Sequence, residues 1–202
     1  MLESLQHIMP FGASAPTQSM AISGKTLLAG WRTGLAIVNL RGDSHDPAFR
    51  ATVSRNLALE LPVKPCSSAA DAVHRVVWLG PDEWVVIGAK GQAPGIESRL
   101  RAALAGIHHA VTDVSGGYTV LQLSGTPVRE VLAQGCPLDL HPREFGPGAS
   151  AGSLFFKASI WLWQTDEAPI FEVLVRTSFK GYVWLMLERS TAECGLATRR
   201  LQ

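Results

Sequence analysis

Apolar positions along the chain recur at two periods, near two and near four, and glycine or proline stands between the runs. L-A-I-V-N-L at 35–40 is a nearly continuous apolar run of strand length. Arg41-Gly42-Asp43 ends it. Asp46-Pro47 then has the form of an N-cap followed by proline at the first helical position, which predicts a helix to about residue 56. Leu57, Leu59 and Leu61 alternate as an extended exit ahead of Pro62; Pro62, Pro65, Ser67 and Ser68 mark a loop, and 71–74 a short turn. V-V-W-L-G at 76–80 and W-V-V-I-G at 84–88 predict a hairpin turning through Pro81-Asp82-Glu83. Ile96, Leu100 and Leu104, four apart, predict a helix over 94–105 that Gly106 stops, and A-V-T-D-V at 110–114 predicts a strand.

The plainest stretch is 119–142, T-V-L-Q-L-S-G-T-P-V-R-E-V-L-A-Q-G-C-P-L-D-L-H-P. Val120, Leu121 and Leu123 form a strand and Gly125 a turn. Thr126 is placed to cap, Pro127 to open a helix lined by Val128, Val131 and Leu132, and Gly135 to stop it. Gly146-Pro147-Gly148 reads as a loop. Residues 153–157 and 159–164 read as one bent strand or two, 170–176 as another, and 178–188 as a helix opened by Ser178 with Phe179, Val183 and Leu187 four apart.

Side by side, the two stretches have one order: strand, helix, strand, strand, helix, with room for a closing strand. Gly42 and Gly125 hold equivalent places, 83 residues apart. The pattern predicts an α+β fold, mainly antiparallel sheet with helices packed on it, in two pseudo-repeated halves at about 31–114 and 115–202. Residues 1–30 are poorly periodic and read as an N-terminal arm. Leu2, Leu5, Ile8, Met9 and Phe11 make it too apolar for an ordinary disordered tail, so it packs on its own domain or across another subunit.

Composition adds a partner requirement. Apolar residues make up 47 % and charged residues only 17 %, against about 25 % in an average soluble domain. Six tryptophans and a net charge of +1 fit a protein that covers part of its surface with partners. No basic stripe marks a nucleic-acid interface, and Arg199-Arg200 beside the C-terminus reads as solvated. Cys66, Cys136 and Cys194 form no C-x-x-C pair and read as reduced thiols of a cytoplasmic protein. The N-terminus lacks the pattern of a secretory signal, and no apolar run is long enough to span a membrane.

Candidate chemistry is sparse. Asp82 and Glu83, between Trp78 and Trp84, form a carboxylate pair at a hairpin tip, but adjacent turn residues point to different sides. His108 and His109 face opposite ways in an extended chain and have no third ligand at a matching spacing. Asp139 and His141 share one face of an exit strand and suit a surface pair. Ser115 stands between Asp113 and two glycines without the G-x-S-x-G elbow. The loop from Gly146 to Gly152 is no dinucleotide loop, because it follows coil and Pro147 removes an amide. Trp161 and Trp163 share a strand face, as sheet core, a partner-facing patch or a stacking platform for a flat ligand. The residues therefore yield no catalytic, cofactor-binding or metal-binding assignment on this chain.

W-L-G-P-D-E-W at 78–84, T-D-V-S-G-G-Y-T-V-L at 112–121, L-S-G-T-P-V-R-E-V-L-A-Q-G-C-P-L-D-L-H-P at 123–142 and F-E-V-L-V-R-T-S-F at 171–179 resemble the gamma subunit of heterotetrameric sarcosine oxidase. The resemblance runs from about residue 30 to 190. It implies a fold similar to the folate-binding domain of aminomethyltransferases. It also implies a non-catalytic structural subunit in a complex that oxidatively demethylates sarcosine to glycine, with hydrogen peroxide and 5,10-methylenetetrahydrofolate or formaldehyde as further products. FAD, FMN, NAD, tetrahydrofolate and zinc are then expected on the partner alpha, beta and delta subunits. The alternative is a stand-alone folate-binding one-carbon transfer protein of aminomethyltransferase type, although the K-G-C-Y-x-G-Q-E type motif of a related folate-binding group is absent.

Overall fold

A computed structural model describes residues 25–199. Eleven strands and four α-helices follow one another in these residues. β1 (Thr26–Arg32) and β2 (Ala36–Gly42) precede α1 (Pro47–Leu57), and β3 (Ser68–Ala70), β4 (Arg75–Gly80) and β5 (Glu83–Gly88) lead to α2 (Ala93–Ala103) and β6 (His109–Asp113). The second half runs β7 (Tyr118–Ser124), α3 (Val128–Ala133), β8 (Ser150–Phe155), β9 (Ala158–Asp166), β10 (Ile170–Arg176), α4 (Lys180–Ser190) and β11 (Gly195–Thr198).

The two halves build two sheets. One has the strand order β3-β4-β5-β2-β6, the other β11-β1-β7-β10-β9-β8. Read inward from one edge, β3-β4-β5-β2 and β8-β9-β10-β7 are the same arrangement. The repeat in the sequence is therefore a repeat of topology, and the α+β expectation holds. The symmetry breaks at one place: β6 pairs antiparallel with β2, whereas β1 inserts between β7 and β11 and pairs parallel with β11.

β1 corrects the boundary drawn from the sequence. Thr26–Gly30 lie in an interior strand of the second sheet, where Leu27 and Ala29 are buried, so the domain begins before residue 31. The rest of the arm reading, 1–24, falls outside the described residues. T-L-L-A-G-W-R carries Gly30 in its interior, which hid its strand character. β3 lies where the sequence predicts loop and turn. Its three residues are too few for a period to register.

Side-chain alternation makes a four-layer stack. Val38, Leu40, Val76, Trp84 and Val86 point from the first sheet to α1 and α2, while Leu121, Leu123, Phe171, Val173 and Val175 point from the second toward α3 and α4. The opposite faces meet: Ile37, Val77, Val85 and Ile87 pack against Val120, Trp163 and Leu174. Each sheet is thus buried on both faces, which explains the continuous apolar runs of β5 and β10.

Local signals decide the ends of the elements. Asp46 accepts from the Ala48 amide at 2.8 Å and Pro47 opens α1, as the sequence predicts. The helix stops at Leu57, where Ala58 takes a left-handed conformation instead of a glycine. In the second half the capping role expected of Thr126 is absent; Pro127 itself occupies the cap position without a side-chain hydrogen bond. α4 begins at Lys180 after a single 3₁₀ turn, Thr177–Phe179, not at Ser178.

Gly125 is required twice over. Its φ is +110°, and a Cβ there would lie 2.5 Å from the carbonyl oxygen of Thr26 in the neighbouring β1. Gly125→Ala should therefore cost about 2 kcal/mol or more, from the φ strain alone plus the displacement of β1. Urea unfolding monitored by tryptophan fluorescence checks this; a midpoint shift no larger than that of Gly181→Ala, where a Cβ meets open space, contradicts it.

Candidate functional site

Most of the residues singled out for chemistry are committed to structure, while His108 is exposed. At the hairpin tip, Asp82 pairs with Arg41 at 2.7 Å while Glu83 accepts from Asn39 at 2.8 Å, so the two carboxylates serve different neighbours. The hydrogen bond to Asp82 holds the Arg41 pKa above its ordinary value. Trp84 is buried against Phe49 and donates to the Pro62 carbonyl. Ser115 accepts from the Ile37 amide at 2.9 Å, and its hydroxyl donates to Asp113 at 2.5 Å, which locks the turn into β7.

His109 bonds to the Ile107 carbonyl at 2.7 Å, and no group of three metal-ligating side chains assembles among the described residues. Asp139 caps a turn by accepting from the His141 amide, and His141 in turn accepts from the Arg143 amide. The two side chains do not pair with each other. The loop after Gly135 is held by Arg129, which donates to the carbonyls of Leu140 and Phe145 and to Gln164 while lying 5.0 Å over the Phe171 ring. Cys66 is exposed, Cys136 and Cys194 are buried, and all three are free. Burial pushes the Cys194 thiol pKa up.

Trp163 is fully buried between the sheets and Trp161 half-buried beside it, so this strand face is core and no stacking platform.

Where the two sheets meet, an unexpected polar group is buried. Strand alternation turns Glu172 of β10 inward, with 3 % exposure. Register sets Gln122 of β7 and Trp163 of β9 directly across from it on either side. The Trp163 indole donates to Glu172 Oε2 at 2.9 Å; Arg32 of β1 donates to Oε1 at 2.7 Å, with Gln122 at 3.4 Å. From the facing sheet, Arg75 of β4 brings its Nε to 3.8 Å from Oε2 and lies 6.0 Å over the Trp163 ring. Burial lowers the Arg75 pKa, with the charge of Arg32 acting in the same direction and Glu172 opposing it.

This group adjoins a cavity of about 210 Å³, lined by Arg32, Arg75, Glu172, the turn around His74 and the end of β5 at Gly88. The run F-E-V-L-V-R at 171–176 carries one sign of this group. The available signal was an acid set among residues that must all be buried in a two-sided strand. Arg32, Arg75 and His74 carried none, because their meeting depends on sheet packing.

Comparison with known proteins places the chain in a family. The model of a family described as "Sarcosine oxidase, gamma subunit family" matches residues 41–193. The sarcosine oxidase subunit gamma of an Arthrobacter species is 36 % identical over 143 residues, covering 69 % of this chain and 68 % of that one. Its counterpart in Corynebacterium sp. (strain U-96) is 38 % identical over 123 residues, 58 % of each chain. Among solved structures, a chain of the heterotetrameric sarcosine oxidase from Corynebacterium sp. U-96 superposes with a TM-score of 0.75 at 28 % identity, covering 83 % of this chain and 85 % of that one. The glycine cleavage system aminomethyltransferase T of Bartonella henselae shares the fold, with a TM-score of 0.60 at 12 % identity over 87 % of this chain and 47 % of that one.

Proposed function

The chain belongs to the sarcosine oxidase gamma subunit family, and from that membership we propose that it is a non-catalytic structural subunit of a heterotetrameric sarcosine oxidase. The observation that carries the proposal is the match in fold, over most of both chains, to a chain of such a heterotetramer. The complex oxidatively demethylates sarcosine to glycine, giving hydrogen peroxide and passing the one-carbon unit to tetrahydrofolate or releasing it as formaldehyde. FAD, FMN, NAD, tetrahydrofolate and zinc belong in this reading to alpha, beta and delta partners in the cytoplasm.

The residue chemistry supports the structural role. Asp82, Glu83, Ser115, His109, Asp139 and His141 are all spent on turns, strands and ion pairs within the chain. Low surface charge and exposed Phe156, Phe179 and Leu185 suit a chain that meets partners. Among the described residues no helix is long and apolar enough to cross a membrane. The stand-alone folate reading keeps the shared fold in its favour but loses the aromatic platform, since Trp161 and Trp163 face the inter-sheet layer.

Co-expression of the other subunits with and without this chain tests the proposal. Without it, the oxidase should fail to assemble and the flavin-bearing subunits should elute as smaller species in size exclusion. An oxidase that assembles and turns over sarcosine at the full rate without this chain overturns the role.

A further inference from the structure

The two halves repeat one topology, yet their outer surfaces differ in kind. Among the described residues, α1 and α2 expose no large apolar side chain, and their outward positions hold Ala51, Arg55, Ser98, Arg99 and Ala102. The equivalent surface of the second half exposes Phe156, Phe179 and Leu185. These join into one patch. Phe179 meets Tyr182 edge-on with ring centroids 6.4 Å apart, and the Tyr182 hydroxyl accepts from the Lys157 amide at 3.2 Å, next to Phe156. Leu185 stands three residues beyond Tyr182 on α4, within reach of it on the helix surface.

Two positions in the patch are built in a way that the fold of this chain does not ask for. Phe156 has a left-handed backbone, φ +54°, where a bulky side chain is rare and strained. It is nonetheless fixed. Its amide donates to the Gly135 carbonyl at 2.7 Å, and its ring lies on Gly135, where a Cβ would collide with it. The residue is still 36 % exposed. Gly181, beside Tyr182, sits in α4 with open space where a Cβ would stand. Glycine weakens a helix and serves where another backbone must come close. A strained, held aromatic beside a bare stretch of helix is the arrangement of an interface anchor with room for a partner's chain.

The charges around the patch choose the partner. Lys157 follows Phe156, Lys180 follows Phe179, and Arg189 stands one turn beyond Leu185. The carboxylate among them, Glu188, already accepts from the Trp184 indole at 2.8 Å. A second copy of this chain would set these cations against themselves across a two-fold axis. Residues 1–24 supply one carboxylate, Glu3. An acidic rim on another protein complements all three cations. We propose that α4 and the β8–β9 turn form the face by which this chain docks on another subunit of the oxidase, one that presents an apolar surface rimmed by carboxylates. The proposal rests on the assembly role above and adds where the contact is made. Phe156 and Leu185 are its apolar anchors, and Lys157 and Arg189 steer the approach.

The test is co-expression of the tagged full-length chain with the other oxidase subunits, read as the flavin absorbance that co-purifies with it. Leu185→Arg should cut that retention at least about tenfold. Thermal unfolding of the free variant should stay close to the parent midpoint, because the side chain already meets solvent. Ala102→Arg, the same charge on the exposed face of α2, should leave retention unchanged. Lys157→Glu should weaken retention and flatten its dependence on salt. Parent-like retention in Leu185→Arg, a parent-like salt profile in Lys157→Glu, or an equal loss in Ala102→Arg overturns the proposal and leaves the assembly role standing. A parent chain that retains no flavin removes the assembly role and this proposal with it. Two further results give the face to another occupant and also overturn the proposal. One is a free parent chain that dimerises and is split by Leu185→Arg; the other is faster proteolysis within residues 1–24 of the free Leu185→Arg chain.

Discussion

Trp163→Ala is expected to lower stability by about 3–5 kcal/mol, which in a chain of this length lowers the melting temperature by roughly 2–4 °C for each kcal/mol. The magnitude follows from where the ring sits. Trp163 is fully buried and shares the inter-sheet layer with Ile37, Val77, Val85 and Ile87 of the other half. Removing it opens a void that neither sheet can close. Each is pinned on its outer face by helices, the first through Phe49, Val53, Ile96 and Leu100 and the second through Val131, Leu132, Val183 and Leu187. The substitution also removes the indole donor from Glu172. Trp163→Phe retains most of the volume and loses chiefly that hydrogen bond, so it should cost about 1–3 kcal/mol. Thermal and urea unfolding followed by circular dichroism measure both. If Trp163→Ala unfolds within about 1 kcal/mol of the parent, the two halves are not joined through this layer.

The same layer explains what could be read from the chain and what could not. Element order was legible because its signals are local: Asp46-Pro47 ahead of α1, the Ile96–Leu100–Leu104 stripe of α2, and Gly125 at the end of β7. The repeat was legible for the same reason. β1 was not, because its strand character comes from β7 and β11, which close on it from far along the chain.

The polar site is an extreme case of that limit. Glu172 and Trp163 come from adjacent strands, but Arg32 and Arg75 come from the first half of the chain and reach Glu172 only through β1 insertion and sheet stacking. A lone Glu in an apolar strand was the one visible sign. By contrast, the residues that drew attention as chemistry, Asp82, Glu83, Ser115 and His141, sit in turns, where polar side chains commonly bond to nearby backbone. His141 does so; Ser115 bonds to the Asp113 side chain and to the Ile37 backbone far along the chain, and Asp82 and Glu83 take side-chain partners on β2.

Glu172→Ala is expected to be as damaging as loss of Trp163, by a different route. It leaves Arg32 and Arg75 near one another without the carboxylate between them and strips the Trp163 indole of its acceptor. Breaking a buried pair from one side costs about 3–5 kcal/mol where the remaining charge stays desolvated, and the partial exposure of Arg32 and Arg75 puts this case at the lower end. Replacing the whole group should behave oppositely. In Arg32→Met, Arg75→Leu, Glu172→Leu no charge is left in the layer, and such exchanges are neutral or stabilising by about 1–4 kcal/mol. Glu172→Gln lies between, keeping an acceptor for Trp163 or Arg32 but no charge. Urea midpoints of the three variants rank them. A triple variant as unstable as Glu172→Ala means the cluster is needed for folding itself. A triple variant at least as stable as the parent means that folding does not require this charged group.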